Sequence, residues 1–364
     1  MRIASFNVEN LFERAKVFNF YDHTIGDDIL ERIRQFQGLL AQANYTTLRK
    51  QRMLDLYLAE LKDYIVVRED RGKLFKRRGP AVVGIEADGQ ADWDGAIEFK
   101  AADFSDVARQ NTAQVIKDTR ADVVCMVEVE SRPILQAFDT HLLGSRYRYE
   151  MLIDANDLRG IDVGLYSKYP IVGIATHMFD RAGTTTIFSR DCLEVELLLP
   201  NGRHLYVLCN HFKSRGYDYA GTGDERRKRQ ATRVAEILRD KYHLTQDWVV
   251  VAGDLNDNPT SSTLEPLLEL TTLYDVLEFQ FPNDSARRWT YHYDAFEQID
   301  FLLVSRPLKD RLIQAGVVRR GIYDLEALTT AAGGTVDIEK QYDAVTSWTN
   351  AASDHGAVWA EINI

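Results

Sequence analysis

The stretch WVVVAGDLN, residues 248–256, decides the fold class of this chain. Its first five residues are apolar and rich in valine, which is typical of a buried β-strand. The run then ends in polar side chains, Asp254 and Asn256. Three other apolar runs end in the same way, at residues 3–7, 123–128 and 205–210. This repeated pattern predicts an α/β domain with strands at its centre.

Further elements surround these strands. Apolar runs framed by turn residues predict strands at residues 192–199 and 301–304, and the last strand is predicted at residues 357–364. Amphipathic helices are predicted at residues 105–119 and 224–241, where apolar residues recur at helical spacing. Strands and helices together again favour the α/β class.

Residues 13–104 differ from the rest of the chain and are predicted to be an insertion within one domain that spans all 364 residues. A helical stretch at residues 28–64 precedes a predicted hairpin at residues 65–76, which turns at residues 70–72. The insertion begins just after the first strand, so it could narrow a site at that strand's end. Residues 317–350 are predicted to form a long loop over the same rim.

The composition limits the class of protein. Hydrophobic residues make up 45% and charged residues 27%, which is typical of a water-soluble globular protein. No run reaches the roughly 18 apolar residues of a membrane span, and the first residues, MRIASFN, lack the features of a secretory signal. We therefore predict a cytoplasmic protein that does not associate with membranes. Cys125, Cys192 and Cys209 lack metal-binding spacing and are interpreted as buried structural thiols.

The net charge of −11 argues against a protein that coats nucleic acid, because such proteins carry a broad basic surface. An acidic enzyme with a local basic groove remains compatible with this charge.

Polar residues at the carboxyl ends of strands indicate a site, because α/β sheets build their sites there. Asp254 and Asn256 point to the same side if the chain stays extended. That arrangement suits a carboxylate that takes a proton from water beside an amide that orients it. The alternative is a polar turn whose side chains bond their own backbone. Taken singly, each residue favours the turn, whereas the whole set favours a site.

Two further segments add imidazole groups. The segment NHFKS, residues 210–214, places Asn210, His211 and Lys213 at another strand end, where all three can contact phosphate oxygens. Near the C-terminus, Asp300 and His355 form a candidate pair, because a carboxylate orients an imidazole and favours its charged form near an anion.

Seven short motifs follow one another along the chain: FNVEN (6–10), VE (127–128), GIDVG (160–164), NHFKS (210–214), GDLN (253–256), QID (298–300) and SDH (353–355). With these motifs the chain resembles the endonuclease/exonuclease/phosphatase superfamily of deoxyribonuclease-like hydrolases, as a bacterial-type member with an N-terminal insertion. Its relatives include pancreatic deoxyribonuclease, apurinic-site endonucleases, neutral sphingomyelinases and inositol polyphosphate 5-phosphatases. The resemblance implies a four-layer α/β sandwich with two packed mixed β-sheets flanked by helices. The 120 residues between Asn7 and Glu128 exceed the family's usual spacing, which agrees with the insertion.

The resemblance also implies a metal site and a base. Glu128 is expected to be the direct ligand of Mg²⁺, with Mn²⁺ as a substitute, and Asp354 and Glu9 are further candidate ligands. Asp254 is expected to activate the attacking water, oriented by Asn256.

The remaining motif residues are expected around the phosphate. His355, held by Asp300, is expected to stabilise the charge that develops on the phosphoryl oxygens. His211 and Asn210 are expected on the other side of the phosphate, where His211 could protonate the leaving oxygen. Asn7 is expected to position Glu128 or a water on the metal.

Substrate binding is predicted from basic residues near the motifs. The predicted substrate-binding residues are Arg159, Asp162, Arg190 and Lys213, and further cations follow at Arg181, Arg215 and residues 226–229. Lys and Arg contacts to phosphates supply most sequence-independent affinity for DNA, so a nuclease acting on DNA or RNA is favoured. Residues 226–229 open a helix and also suit a solvated face.

Two other functions stay open. One is a phosphomonoesterase acting on an inositol phosphate, a nucleotide or a lipid headgroup. The other is a catalytically silent family member that binds RNA or a protein partner. The sequence leaves the oligomeric state open.

Overall fold

The computed structural model of the protein describes residues 1–11, 15–18, 23–100, 107–157, 160–215, 221–333 and 338–364. Their contacts divide the chain into two compact units, Met1–Phe12 with Ser105–Ile364, and Glu13–Phe104. The second unit therefore interrupts the first along the chain. That both belong to one domain stays a prediction.

The strands are, in chain order, β1 (Arg2–Leu11), β2 (Ile65–Gly72), β3 (Phe75–Arg78), β4 (Ala81–Ile85), β5 (Trp93–Phe99), β6 (Val123–Val129), β7 (Tyr149–Leu152), β8 (Asp162–Ser167), β9 (Ile171–Ala175), β10 (Arg181–Ala182), β11 (Thr185–Thr186), β12 (Cys192–Leu198), β13 (His204–His211), β14 (Trp248–Asp254), β15 (Leu273–Asp275), β16 (Tyr291–His292), β17 (Phe296–Glu297), β18 (Asp300–Ser305), β19 (Leu312–Val318) and β20 (Ala357–Ile362). The α-helices are α1 (His23–Leu40), α2 (Thr47–Asp55), α3 (Val107–Thr119), α4 (Arg132–Phe138), α5 (Gly223–Lys241), α6 (Glu265–Leu268), α7 (Val276–Gln280), α8 (Arg306–Lys309) and α9 (Leu325–Ala332).

Two six-stranded sheets form the centre of the larger unit. The first sheet has the order β19-β20-β1-β6-β8-β7, and the second has the order β15-β18-β14-β13-β12-β9. Both sheets are mixed, because β1 pairs in parallel with β6 and β13 pairs in parallel with β14, while their other pairs are antiparallel. The predicted α/β sandwich with two mixed sheets is confirmed.

The core lies between the two sheets. Val123 and Val127 of the first sheet belong to the same buried cluster as Val195, Val207 and Val250 of the second sheet. These side chains alternate with residues of the outer faces, as the two-residue period of a strand requires. The inner faces of both sheets are therefore apolar, as expected for packed sheets.

Helices cover the outer faces. Ala231, Val234 and Leu238 of α5 belong to a second buried cluster with Val249 and Val251 of β14. On the other side of the sandwich, α3 contacts β1 and β20. The order helix, sheet, sheet, helix gives the four layers that the sequence predicted.

Strand pairing brings the motif residues to one end of the sheets. Asn7 pairs with Val127 across the parallel strands β1 and β6, and His211 pairs with Asp254 across β13 and β14. Asp254 also pairs with Asp300 across the antiparallel strands β14 and β18. Residues far apart in sequence therefore meet where these strands end.

The predicted hairpin at residues 65–76 is wrong. Strand β2 pairs with β5, and β3 pairs instead with β4. The Glu69 carboxylate accepts hydrogen bonds from the backbone N–H groups of Leu74 and Phe75, at 2.7 and 2.8 Å. These bonds hold the segment after Gly72 as a connection between β2 and the β3–β4 hairpin. The turn-like sequence at residues 70–72 therefore does not pair β3 with β2.

Two other expectations need correction. The helical stretch predicted at residues 28–64 is divided into α1 and α2, since Thr46 caps a new helix by accepting a hydrogen bond from the N–H of Arg49. The long loop predicted at residues 317–350 contains α9, and residues 334–337 of that segment lie outside the described residues.

Gly253 is required by the close pairing of β13 and β14. Its φ is +136°, and an added Cβ would lie 1.9 Å from the backbone oxygen of Asn210. We expect Gly253→Ala to lower the free energy of unfolding by about 3 kcal/mol, because backbone must move to relieve the overlap.

The matched control is Gly38→Ala. Gly38 lies in α1 with nothing within 4 Å of an added Cβ. Alanine there should stabilise the protein by about 0.5–1 kcal/mol, since it is the better helix former. Urea unfolding followed by tryptophan fluorescence measures both variants, and equal stability of the two would contradict the predicted overlap.

Candidate active site

The polar residues at the strand ends have unusual backbone conformations. Glu9, Glu128 and Asn256 have positive φ angles of 48°, 67° and 57°. The pairing of β1 with β6 shifts register between Asn7 and Leu11, which places Glu9 in a bulge. Such conformations cost about 1–3 kcal/mol each and concentrate at functional sites. Arg120, Ser145 and Asp324 also have positive φ angles, so the conformations at the strand ends agree with a site there but do not identify it alone.

Asn7 connects the two sheets. Its Nδ2 donates to Asp254 Oδ2 at 3.1 Å and lies 3.4 Å from Glu128 Oε1. Its Oδ1 accepts from the N–H of Glu9 at 3.1 Å, and its backbone oxygen accepts from Ser353 Oγ at 2.8 Å. The Asn7 amide therefore contacts carboxylates from both sheets. One of them is Glu128, which Asn7 was predicted to position.

Asp254 is a buried carboxylate with fixed orientation. Its Oδ1 accepts from the backbone N–H of Asn256 at 2.8 Å, and its Oδ2 lies 3.7 Å from Nε2 of His211. Burial, and then the negative charge of Asp300, raises the pKa of Asp254 to about 7. The side chain of Asn256 does not orient Asp254 directly, because its Nδ2 donates to the backbone oxygen of Phe212 at 3.2 Å.

His355 and Asp300 form the predicted pair. Nδ1 of His355 lies 2.8 Å from Asp300 Oδ2, and both residues are buried. Burial lowers the pKa of His355, but the charges of Asp300 and Asp354 and the hydrogen bond to Asp300 outweigh it and raise the pKa well above its usual value. The shift favours the positively charged form of the imidazole, which in turn favours an anion beside it.

Two of the predicted metal ligands, Glu9 and Asp354, are in contact, and the third, Glu128, lies beside His211. The Asp354 N–H donates to Glu9 Oε2 at 3.1 Å, and Glu128 Oε1 lies 3.8 Å from Nε2 of His211. Although Glu9 is exposed as a residue, desolvation of its carboxyl group and then the charge of Asp354 raise its pKa to about 7. Burial likewise raises the pKa of Glu128, and Asp354 contributes. Carboxylates gathered in this way fit a hard divalent cation, which prefers oxygen ligands.

Among the described residues, one group of three possible ligand residues has its ligand atoms close together, and it differs from the predicted set. Atoms of Asp254, Asp300 and His355 lie within 4.8 Å of one another. The resemblance assigns the metal to Glu9, Glu128 and Asp354 instead, and their carboxylate oxygens are the ligands that a hard divalent cation prefers.

Asn210 differs from its predicted surroundings. It is fully buried, and its Nδ2 donates to the backbone oxygen of Leu208 at 3.0 Å. Across the described ranges, no hydrogen bond joins it to Asp254 or His355. His211, the next residue, is the side chain of this motif that the structure brings to the carboxylates.

The predicted substrate-binding residues are mostly engaged within the protein. Arg190 is 3% exposed, pairs with Asp157 at 3.0 Å and donates to the backbone oxygen of Phe212 at 3.3 Å. Asp162 accepts from the N–H of Ala155 at 3.0 Å, and burial raises its pKa to about 7. Both residues therefore bond to the loop that follows β7, Arg190 through Asp157 and Asp162 through Ala155.

The other predicted cations show a similar pattern. Lys213 Nζ donates to the backbone oxygen of Ser214 at 3.2 Å. The side chain of Arg227 is 1% exposed and pairs with Asp257 at 3.0 Å and with Asp224, so the run at residues 226–229 is partly internal. Arg159 lies outside the described residues.

Sequence reasoning missed two residues that support the pair of Asp300 and His355. The ring of Tyr291 lies 4.8 Å from the ring of His355, and burial, followed by the charges of Asp354 and Asp254, raises the Tyr291 pKa to about 12. Thr290 Oγ1 accepts from the N–H of Asp300 at 3.1 Å. The folded hairpin β16–β17, which returns the chain towards β18, brings them to the pair, so their positions follow from the fold and not from a local motif.

The sequence profile described as the Endonuclease/Exonuclease/phosphatase family matches residues 97–355, which is more than half of the chain. The segment with Asn7 and Glu9 precedes this match. No curated protein shows significant sequence similarity to the chain.

Solved structures show a similar fold. D. rerio TDP2 humanized by 14 mutations has 16% identity and a TM-score of 0.50, covering 72% of this chain and 96% of its own. D. rerio TDP2 complexed with a single-strand DNA product has 14% identity and a TM-score of 0.50, covering 71% and 92%. A mutant of Staphylococcus aureus beta toxin with bound magnesium ions has 17% identity and a TM-score of 0.47, covering 70% and 91%. At these identities the two TDP2 similarities establish the fold only.

Across the described ranges, no helix combines the length and apolar character needed to cross a bilayer.

Proposed function

Because the chain belongs to the Endonuclease/Exonuclease/phosphatase family, we propose that it is a magnesium-dependent phosphodiesterase that cleaves the backbone of DNA or RNA. Members of this family are metal-dependent phosphoesterases, so hydrolysis of phosphoester bonds is the shared chemistry. The proposal adds to this shared chemistry a phosphodiester as the bond, a polynucleotide as the substrate, Mg²⁺ as the metal ion and a role for each site residue.

One observation carries the proposal. Asn7 donates to Asp254 and lies 3.4 Å from Glu128, so residues of β1, β6 and β14 meet at one amide group. His211 lies within 3.8 Å of both carboxylates. Two carboxylates, an amide and an imidazole therefore lie together at one end of the two sheets. Such a set can bind a phosphate and a water side by side.

Asp254 is proposed as the base that accepts a proton from the attacking water. Its pKa of about 7 matches a base that works near neutral pH, and the N–H of Asn256 fixes the carboxylate's orientation. The raised pKa also means that the carboxyl group is only partly ionised at pH 7 in the protein alone. Since a cation nearby favours the ionised form, the charged base is expected to predominate when the site is loaded.

His355 and His211 are proposed to contact the phosphate. The positive charge of His355, maintained by Asp300, stabilises negative charge on the phosphoryl oxygens. His211 Nε2 lies between Glu128 and Asp254 and is the proposed donor to the leaving oxygen. Tyr291 limits the movement of the His355 ring by packing against it.

Glu128, Glu9 and Asp354 are proposed to hold Mg²⁺, with Mn²⁺ as a substitute. When bound, the divalent cation supplies positive charge opposite the phosphate oxygens. The proposal is supported by the hydrogen bond from the Asp354 N–H to Glu9 and by the raised pKa values of Glu9 and Glu128, to both of which burial and then the charge of Asp354 contribute.

A polynucleotide is the proposed substrate. D. rerio TDP2, which has a similar fold, is described in complex with a single-strand DNA product. The phosphomonoesterase and the silent binding protein are retained as competing outcomes of the test. The cytoplasmic location stays a prediction.

A substrate panel tests this function. The full chain is incubated with Mg²⁺ or Mn²⁺ and with plasmid DNA, single-stranded DNA, abasic duplex or RNA, and in parallel with inositol phosphates and nucleoside monophosphates. We expect polynucleotides to be cut with little release of inorganic phosphate, and we expect EDTA to abolish cutting. Phosphate release from the monoesters with intact polynucleotides would establish the phosphomonoesterase instead. Binding without cleavage under either metal would favour the silent member.

A further inference from the structure

The hairpin of β3 and β4, residues 75–85, carries a concentration of positive charge. Residues 71–80 read RGKLFKRRGP and contain five basic residues and no acidic residue, in a chain whose net charge is −11. A short run of Lys and Arg is a recurring feature of nucleic-acid binding, although the same run is often only a solvated surface. The structure distinguishes these two interpretations.

The hairpin is fixed to the core of its own unit. Leu74 and Phe75 are buried in the same cluster as Phe36 and Met53. Phe75 pairs with Ile85 at the base of the hairpin, and Gly79, with a φ of 59°, lies in the turn at its tip. The basic side chains are therefore presented by an anchored element.

These cations are exposed and mostly lack acidic partners. Lys73, Lys76 and Arg78 are exposed, and within the described part of the chain no carboxylate lies within ion-pair distance of them. Arg77 is the exception, because it pairs with Glu69 at 3.4 Å and lies over the ring of Phe75. Neighbouring like charges repel, so a group of unpaired cations is costly to the folded protein unless an anion neutralises it.

Three arginines of the larger unit that lie near the motifs in sequence are used differently. Arg227 is buried against Asp257, and Arg215 pairs with Glu297 through both Nη atoms. Arg190 is buried against Asp157. These side chains would have to break internal ion pairs to bind a phosphate backbone. Lys73, Lys76 and Arg78 need no such exchange.

The form of the hairpin favours a polynucleotide over a lipid surface. A membrane-binding tip needs large apolar side chains to enter the lipid interface. The tip here is Arg78, Gly79, Pro80 and Ala81, and the exposed large apolar residue on the hairpin is Val83, further back on β4. Positive charge without an apolar tip suits a hydrophilic polyanion.

We propose that the β3–β4 hairpin, together with Lys73 just before it, binds the phosphate backbone of the nucleic-acid substrate, independent of base sequence, through Lys73, Lys76 and Arg78. This proposal rests on the proposed function for the identity of the polyanion. It gives residues 13–104 a role in binding substrate, separate from the residues that hydrolyse it.

The test uses the full chain with Lys73→Ala, Lys76→Ala and Arg78→Ala combined. Affinity for a fluorescent single-stranded oligonucleotide is measured by anisotropy, without divalent metal, over a range of salt concentrations. Each phosphate contact contributes about 0.7 to the slope of log affinity against log salt, so we expect the slope to fall by about 2. At low salt the affinity should fall at least ~10-fold, the order expected when three phosphate contacts are lost.

The matched control removes three exposed cations of the same unit outside the hairpin: Arg34→Ala, Arg52→Ala and Lys62→Ala combined. Its affinity and salt slope should stay near those of the unmodified protein. A charge-conserving variant, Lys73→Arg, Lys76→Arg and Arg78→Lys combined, should also bind normally. Circular dichroism checks that all three variants are folded.

Other outcomes would overturn the proposal. An unchanged slope in the hairpin variant, or the same loss in the control, would show that the hairpin makes no specific contribution. Loss of binding to phosphatidylserine vesicles alone, with oligonucleotide binding unchanged, would assign the hairpin to membranes. Hydrolysis of bis(4-nitrophenyl) phosphate should be equal in the hairpin variant and the unmodified protein. If neither hydrolyses it, the proposed function fails, while the binding measurement still decides the role of the hairpin.

Discussion

Asp254→Asn is expected to lower the rate of phosphodiester hydrolysis by at least ~10²-fold, the usual scale of a general-base contribution. Asparagine has almost the same shape, but its amide cannot accept a proton from water at neutral pH. The loss should appear in kcat more than in KM, because the base acts during the reaction and not in substrate binding. The amide oxygen of the variant would still accept the hydrogen bond that Asp254 Oδ1 receives from the N–H of Asn256.

The control for this variant is Asp275→Asn. Asp275 is a carboxylate on β15 whose pKa is raised to about 6, chiefly by burial, and which accepts from Gln298 Nε2 at 2.6 Å. It therefore tests the effect of changing a desolvated aspartate of the same sheet outside the proposed site. Kinetics on bis(4-nitrophenyl) phosphate, with circular dichroism for folding, measure both proteins. If Asp254→Asn retains turnover within a fewfold of Asp275→Asn, Asp254 is not the base.

The central strands could be predicted because their sequence signal is local. The strand predicted from WVVVAGD at residues 248–254 agrees with β14 at both ends. An uninterrupted run of apolar residues can be buried on both faces only in the middle of a sandwich, so composition and position agree. The motif order then gave the family, and the family gave the sheet arrangement.

Pairing between distant residues could not be predicted in the same way. The sequence at residues 70–72 has turn composition, yet β2 pairs with β5, more than 20 residues away along the chain. Turn propensity is a local property, whereas strand register depends on which apolar faces are buried together. Local composition therefore indicated strand structure at residues 65–76 but gave the wrong pairing, and it did not predict β4 or β5.

The site shows the same division between local and distant information. The pairing of Asp300 with His355 was predicted from residue types and the structure has it at 2.8 Å. Two contacts were not predictable: the buried ion pair of Arg190 and the hydrogen bond from the backbone N–H of Asn256 to Asp254. The sequence does not reveal whether an arginine or an asparagine binds a ligand or another part of the protein. Thr290 and Tyr291 were missed for the same reason, since only the folded hairpin brings them to the site.

Asp300→Asn is expected to lower activity at pH 8 by ~10²–10³-fold, the scale of losing one group that stabilises transition-state charge. In the unmodified protein, burial lowers the pKa of His355, but Asp300 and then Asp354 raise it further, so the imidazole stays charged through neutral pH. Removing the charge of Asp300 removes the largest of the raising effects. The pKa of His355 then falls, and its positive charge is lost at alkaline pH.

The pH profile separates this electrostatic role from a purely orienting one. Activity should need His355 charged and Asp254 ionised, which gives a bell-shaped profile. Asp300 also raises the pKa of Asp254, so its removal should lower that pKa too. Both limbs of the bell are therefore expected to move to lower pH in Asp300→Asn, with part of the lost activity regained on acidification.

The stability of the variant should follow the same sign. A histidine whose pKa is raised in the folded state stabilises the protein below its unfolded pKa of about 6.5, and this stabilisation is lost as pH rises through the folded value. Asp300→Asn should therefore be less stable than the unmodified protein at pH 6, with the difference in its midpoint of urea unfolding decreasing at alkaline pH. A uniform loss of activity at every pH, with unchanged limbs, would instead mean that Asp300 only orients the ring of His355, and the charged imidazole would have no part in the reaction.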